Sequence, residues 1–142
     1  MSRGLPAIAA LALLLVAGCP AERAASRPPE PAFFAPDLRF EGAWFGEVDG
    51  HAGRLVIERL GAERLRGLFE SDDRTVLLVL LIEIADTPDG APNVAPFSWQ
   101  DGRGGRGRGW LRINRDNDAL DGAYGYGERV EGAGPWLFVR AR

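Results

Sequence analysis

Phe40-Glu41-Gly42-Ala43-Trp44-Phe45-Gly46-Glu47-Val48 decides the fold, because Phe40, Gly42, Trp44, Gly46 and Val48 alternate with Glu41, Phe45 and Glu47. A period of two sends successive side chains to opposite faces of a strand. Asp49-Gly50-His51-Ala52-Gly53 reads as a turn, after which Arg54 to Leu60 resumes the alternation with Leu55 and Ile57 on the inner face. Gly61-Ala62-Glu63 turns the chain again, and Arg64 to Glu70 puts Leu65, Gly67 and Phe69 inward. No stretch from Leu38 onward keeps an apolar period of 3.6, the mark of an amphipathic helix.

Working outward, Thr75 to Ile84 is apolar on both faces. Such a run is covered twice or left bare on one side. A short helix across a barrel mouth is one reading of it, but its length and its β-branched Val76, Val79, Ile82 and Ile84 favour a strand. Asp86 to Asn93, with Pro88, Gly90 and Pro92, reads as a loop. Further strands are expected at Ala95 to Gln100, Arg106 to Asn114, Ala119 to Gly127 and Gly134 to Arg140. Asp101-Gly102 and Arg115 to Asp118 are turns between them. The expectation is an all-β domain, an eight-stranded antiparallel up-and-down barrel whose closure removes sheet edges.

A weak repeat accompanies this count. Gly53-Arg54-Leu55-Val56-Ile57-Glu58-Arg59 is echoed by Gly109-Trp110-Leu111-Arg112-Ile113-Asn114-Arg115, and Trp44 by Trp99. Two similar four-strand halves, or shared hairpin grammar, would each produce it. Gly42-Ala43-Trp44 resembles the G-x-W motif that opens lipocalin barrels, and the short Gly/Trp/Tyr-rich strands resemble the smaller avidin-type (calycin) members of that group. The resemblance implies a lipocalin-like barrel over 38–142; no biotin-contacting set is matched, so biotin is not implied.

At the other end of the chain, Arg3, the apolar run Leu5 to Val16 and the small residues Ala17 and Gly18 have the architecture of a secretory signal, residues 1–18. The run falls short of the roughly 20 apolar residues that span a bilayer. Leu15-Val16-Ala17-Gly18-Cys19 resembles a bacterial lipobox. That resemblance implies cleavage before Cys19, acylation of Cys19 and a lipoprotein held in the membrane by its acyl chains (diacylglycerol and an amide-linked palmitate-type chain). Pro20 in place of Asp implies the outer membrane, with the domain facing the periplasm or the cell surface. Residues 19–37, with five prolines from Pro20 to Pro36, read as a linker reaching about 3 Å per residue. Within it, Phe33-Phe34 is expected to pack on the barrel exterior or to touch lipid or a partner.

Composition narrows the function. The 142 residues are 46% hydrophobic and include a single Cys, which excludes a disulfide-stapled miniprotein and a disordered chain. All 17 basic residues are arginines, the formal charge is −3, and removal of the segment with Arg3 makes it one unit more negative. Nucleic acid is therefore not an expected partner. Arg103-Gly104-Gly105-Arg106-Gly107-Arg108-Gly109-Trp110 resembles an RGG tract, yet alternation reads it as a strand with Arg106, Arg108, Trp110 and Arg112 outward and Gly107, Gly109, Leu111 and Ile113 inward.

No catalytic set is expected. His51 is the only histidine, and Ser71, Ser98, Thr75 and Thr87 have no base and orienter at a recognisable spacing. Asp116-Asn117-Asp118 with Asp121 lacks the oxygen ligand pattern of a calcium loop and reads as a turn. No metal or cofactor is expected. The primary expectation is a noncatalytic barrel whose inward Trp44, Phe69, Trp99, Tyr124, Tyr126 and Trp136 bind a small hydrophobic or amphipathic ligand. The alternative is a module that docks a protein partner, or a second copy, through the outer residues Leu77, Val79, Leu81, Arg106 and Arg108. A filled barrel with a bare Leu77/Val79/Leu81 stripe would favour that alternative.

Overall fold

A computed structural model describes residues 27–34, 38–85, 87–88 and 90–142. The signal segment, Cys19 and the first part of the linker lie outside the described residues. Eight strands follow one another: β1 Gly42–Val48, β2 His51–Arg59, β3 Arg64–Ser71, β4 Leu77–Glu83, β5 Val94–Asp101, β6 Arg106–Ile113, β7 Ala119–Tyr126 and β8 Gly134–Arg140. Each pairs antiparallel with the next and β8 returns to β1, giving a closed up-and-down barrel. Closure leaves no open edge to recruit another chain.

Alternation is the reason this sequence closes around a core. Leu55 and Ile57 of β2, Leu65 and Phe69 of β3, and Leu78, Leu80 and Ile82 of β4 all point inward and are buried. The all-apolar β4 is thus one-sided: its other face, Leu77, Val79 and Leu81, lies at the surface or half-buried. The glycines of β6 have a matching logic. Phe97 pairs with Gly109 and Trp99 with Gly107, so each large inward ring of β5 sits beside an inward residue with no side chain. A Cβ on Gly109 would lie 2.3 Å from the Phe97 ring, and one on Gly107 would lie 2.8 Å from the Trp99 indole nitrogen. Outward Arg alternating with inward Gly therefore makes room for aromatics from the neighbouring strand.

Several boundaries differ from the sequence expectation. The first turn is only Asp49-Gly50, with both residues at positive φ (48° and 78°), the geometry that matches strand twist in a two-residue hairpin. His51, Ala52 and Gly53 accordingly belong to β2, where His51 pairs with Val48 and Gly53 with Gly46. The strand expected at Thr75 begins at Leu77, because Asp73 accepts from the Thr75 amide at 3.0 Å and its hydroxyl at 2.7 Å, holding a turn. Tyr126, expected inside, ends β7 and is 62% exposed.

The two halves share strand order but not register. Trp44 pairs with Leu55, whereas Trp99 pairs with Gly107 and Leu111 with Ala95. Hairpin grammar accounts for the echo in the sequence without requiring equivalent pairing.

Candidate functional site

One end of the barrel gathers the Asp49-Gly50 turn and the β3–β4, β5–β6 and β7–β8 connections. The first three of these, with the end of β7, line an open cleft of about 470 Å³. Trp99 and Tyr124 line it from below, Tyr126 stands at the side, and Asp49, His51 and Arg103 bring polar groups to its rim. The Trp99 indole donates to the Gly125 carbonyl at 3.0 Å, and its ring meets Tyr124 and Tyr126 edge-on at 5.5 and 5.3 Å. Trp99 is thereby fixed, while most of the Tyr126 ring remains open to solvent.

Burial, with smaller contributions from the charge of Asp49 and from Tyr126, pushes the Tyr124 phenol up to about 12. It stays an uncharged donor and acceptor at ordinary pH. The Asp101 carboxylate accepts from the amides of Arg103 and Gly105, each at 2.8 Å, and so shapes the β5–β6 loop that carries Arg103.

Below the cleft lies a core of buried aromatic and aliphatic side chains. Trp44, Phe69 and Trp136 have no exposed surface, and Phe97 and Tyr124 pack on Trp136 at 5.0 and 5.7 Å. The Trp44 indole donates to the Phe40 carbonyl at 2.9 Å. Trp136 differs, since its buried indole N–H meets no acceptor among the described residues. Of the six aromatics expected to bind a ligand, the structure therefore brings Trp99, Tyr124 and Tyr126 to an accessible cleft and places Trp44, Phe69 and Trp136 in the core.

Outside the barrel, Val79, Leu81, Arg106 and Arg108 line one groove of about 570 Å³ across β4, β5 and β6, with Ser98 and Gln100 between them. Leu68 pairs with Val79 on the adjacent strand and widens the apolar stripe. Leu77, 45% exposed, stands at the mouth end of that stripe and also lines the cleft. Arg108 reaches Glu128 at 3.3 Å, both side chains being largely exposed. Phe33-Phe34 lies elsewhere: Phe33 bridges to Pro92, and the Arg115 guanidinium lies 4.9 Å above the Phe34 ring. Trp110 is on the outer face as expected, under Arg112 at 5.6 Å and donating to Glu131 at 3.3 Å.

A further groove, of about 920 Å³, was not singled out by the sequence. It runs over the outside of β1, β8, β7 and β6 and includes Phe34, Phe45, Leu137 and Val139. Phe45 pairs with Val139, and Glu47 with Leu137, across the seam that closes the barrel. The signal was present as outward apolar residues in two alternating strands, but only the β1–β8 pairing makes them neighbours. Phe45, Leu137 and Val139 are 50, 54 and 60% exposed, so three large apolar side chains share one patch of wall.

The Asp116-Asn117-Asp118 segment is turn chemistry: Asn114 Oδ1 accepts from the amides of Asp118 and Ala119, both at 3.0 Å, and Asn117 takes a φ of +59°. Among the described residues no three His, Cys, Asp or Glu side chains gather as a metal site. Searches of family models, of curated proteins and of solved structures found no match to this chain.

Proposed function

We propose that this chain is an exported, lipid-anchored, noncatalytic interaction module that docks a protein partner, or a second copy of itself, through its outer wall. The observation that carries the reading is the apolar groove across the closing seam, where Phe45, Leu137 and Val139 are each at least half exposed on a barrel whose inward Trp44, Phe69 and Trp136 are fully buried. Rigid antiparallel strands hold these side chains in fixed relation, so little ordering cost accompanies docking. The β4–β6 groove, with Val79, Leu81, Arg106 and Arg108, supplies a second and more polar face.

The test is site-specific photocrosslinking in membranes, with the crosslinker at Leu137 in one chain and at Leu81 in another. A discrete adduct from Leu137 that disappears with Val139→Asp supports docking at the seam; an adduct from Leu81 alone moves the site to β4–β6. No adduct from either position, with a monomer by sedimentation, overturns the docking reading.

A second reading keeps the small amphipathic ligand and relocates it from the core to the mouth. It is favoured by one observation, the convergence of Trp99, Tyr124 and Tyr126 on an open cleft with polar groups at its rim.

A further inference from the structure

The geometry points to a saccharide as the ligand of the mouth cleft, an inference that rests on the second reading above and names its ligand class. Three observations converge on it. The first is the open aromatic surface. Tyr126 is 62% exposed and braced edge-on by Trp99 at 5.3 Å, so its ring is both accessible and held. A pyranose presents axial C–H groups with slight positive charge on one face, which suit the negative face of an aromatic ring.

The second is the balance of charge. The rim carries two carboxylates, Asp49 and Asp101, and two guanidinium groups, Arg74 and Arg103, beside His51 and Thr75. A cationic ligand held by the aromatic rings would face Arg74 and Arg103, and an anionic one would face Asp49 and Asp101. A neutral polyol meets neither repulsion and uses both signs, because its hydroxyls donate to carboxylates and accept from guanidinium groups.

The third is the pairing of a phenol with a carboxylate: Tyr124 and Asp49 both line the cleft, so a neutral hydroxyl and an acceptor are offered beside the aromatic surface. The cleft volume of about 470 Å³ falls within the usual range for small-molecule sites, roughly 300 to 1,000 Å³. Its open form suits a chain of sugar rings entering from one end better than a buried apolar molecule.

The test uses the full chain in phosphatidylglycerol nanodiscs, titrated with cellobiose and with chitobiose while the indole ¹H–¹⁵N signals are followed. Saturable shifts of the Trp99 signal are expected with a dissociation constant on the order of 1 mM, weakened roughly tenfold by Tyr126→Ala and retained by Tyr126→Phe. Asp49→Asn is expected to weaken binding as well. Tetramethylammonium and the apolar dye 8-anilinonaphthalene-1-sulfonate are titrated in parallel. Absence of any disaccharide shift up to about 20 mM overturns the saccharide assignment. Tyr126-dependent binding of the dye or the quaternary amine without sugar binding also overturns it, while leaving the cleft as a ligand site; silence from all probes removes the cleft reading altogether.

Discussion

Arg140 shows how one side chain can lock a barrel. Its guanidinium lies 4.1 Å over the Trp44 ring and donates to the Glu41 carbonyl at 2.8 Å, the Asn117 carbonyl at 2.7 Å and the Arg39 carbonyl. It thus ties the last strand to the entry segment and to the β6–β7 turn. Arg140→Ala should cost about 2–3 kcal/mol in urea unfolding, the sum expected of a partly buried cation–π contact and several charged hydrogen bonds. Arg140→Lys should recover less than half, because an ammonium lacks the planar fork that reaches three carbonyls at once. Full recovery by Lys would show that charge alone matters here. Two titrations belong to the same scale. Hydroxyl donors from Thr75 and Ser71, with the Thr75 amide, hold the Asp73 carboxyl down at about 2 from a usual 3.8. Its depressed value means that the bonds favour folding above about pH 4 and are lost as pH falls toward 2. Carboxyl-carbon NMR should place the Asp73 midpoint near 2, and Thr75→Val should raise it. At the alkaline side, the raised Tyr124 phenol contributes stability below about pH 10 that is lost as pH rises toward 12. A phenolate absorbance phase near 12 that vanishes in Tyr124→Phe checks that assignment.

At the scale of the element, β6 carries the clearest division of labour. Its outward arginines are exposed, whereas inward Gly107 and Gly109 accept the bulk of Trp99 and Phe97. Gly109→Ala should destabilise by about 3 kcal/mol, the upper end of overpacking costs, because the new Cβ would also lie 2.5 Å from the Ala123 carbonyl oxygen. Arg108→Ala, one residue away, should stay within about 0.5 kcal/mol, since its partner Glu128 is largely exposed. Similar effects from both substitutions would contradict the packing account. Much of this was readable in advance: alternation in β1, β3 and β8 put Trp44, Phe69 and Trp136 on the inward face, where they lie. Where it failed, the reason was local. A two-residue Asp-Gly turn drew His51 into β2, and Tyr126 kept the inward phase but sits on the last rung of β7, paired with Gly107, where its ring is exposed. The closed up-and-down barrel already implied that β8 returns to β1; what was not legible was the register of that seam, which sets Phe45 opposite Val139 and Glu47 opposite Leu137 and so makes the Phe45/Leu137/Val139 patch.

For the whole molecule, where binding surface can lie follows from how the eight-stranded ring is filled. An eight-stranded ring is just wide enough for side chains to fill, and here Trp44, Phe69, Trp136 and their neighbours fill it. Binding surface must then come from the outside or from the mouth. The linker meets that outside directly: the Ala32 amide donates to Asn93 Oδ1 at 2.7 Å, the Asn93 amide returns a bond to the Ala32 carbonyl at 2.9 Å, and Phe34 enters the seam groove. With the proposed acyl anchor at Cys19, this contact would set how much of the linker is free to span from membrane to barrel. Asn93→Ala should release residues 31–34 from the wall, raising exchange of the backbone amides at positions 93 and 32 while leaving the exchange-protected core strands unchanged. Cys19→Ser should move the chain from the membrane fraction to the soluble one without altering that protection. Retention of the Cys19→Ser chain in membranes would assign anchoring to the barrel's own apolar wall, and Leu137→Asp in the same background would then decide between lipid and protein as its target.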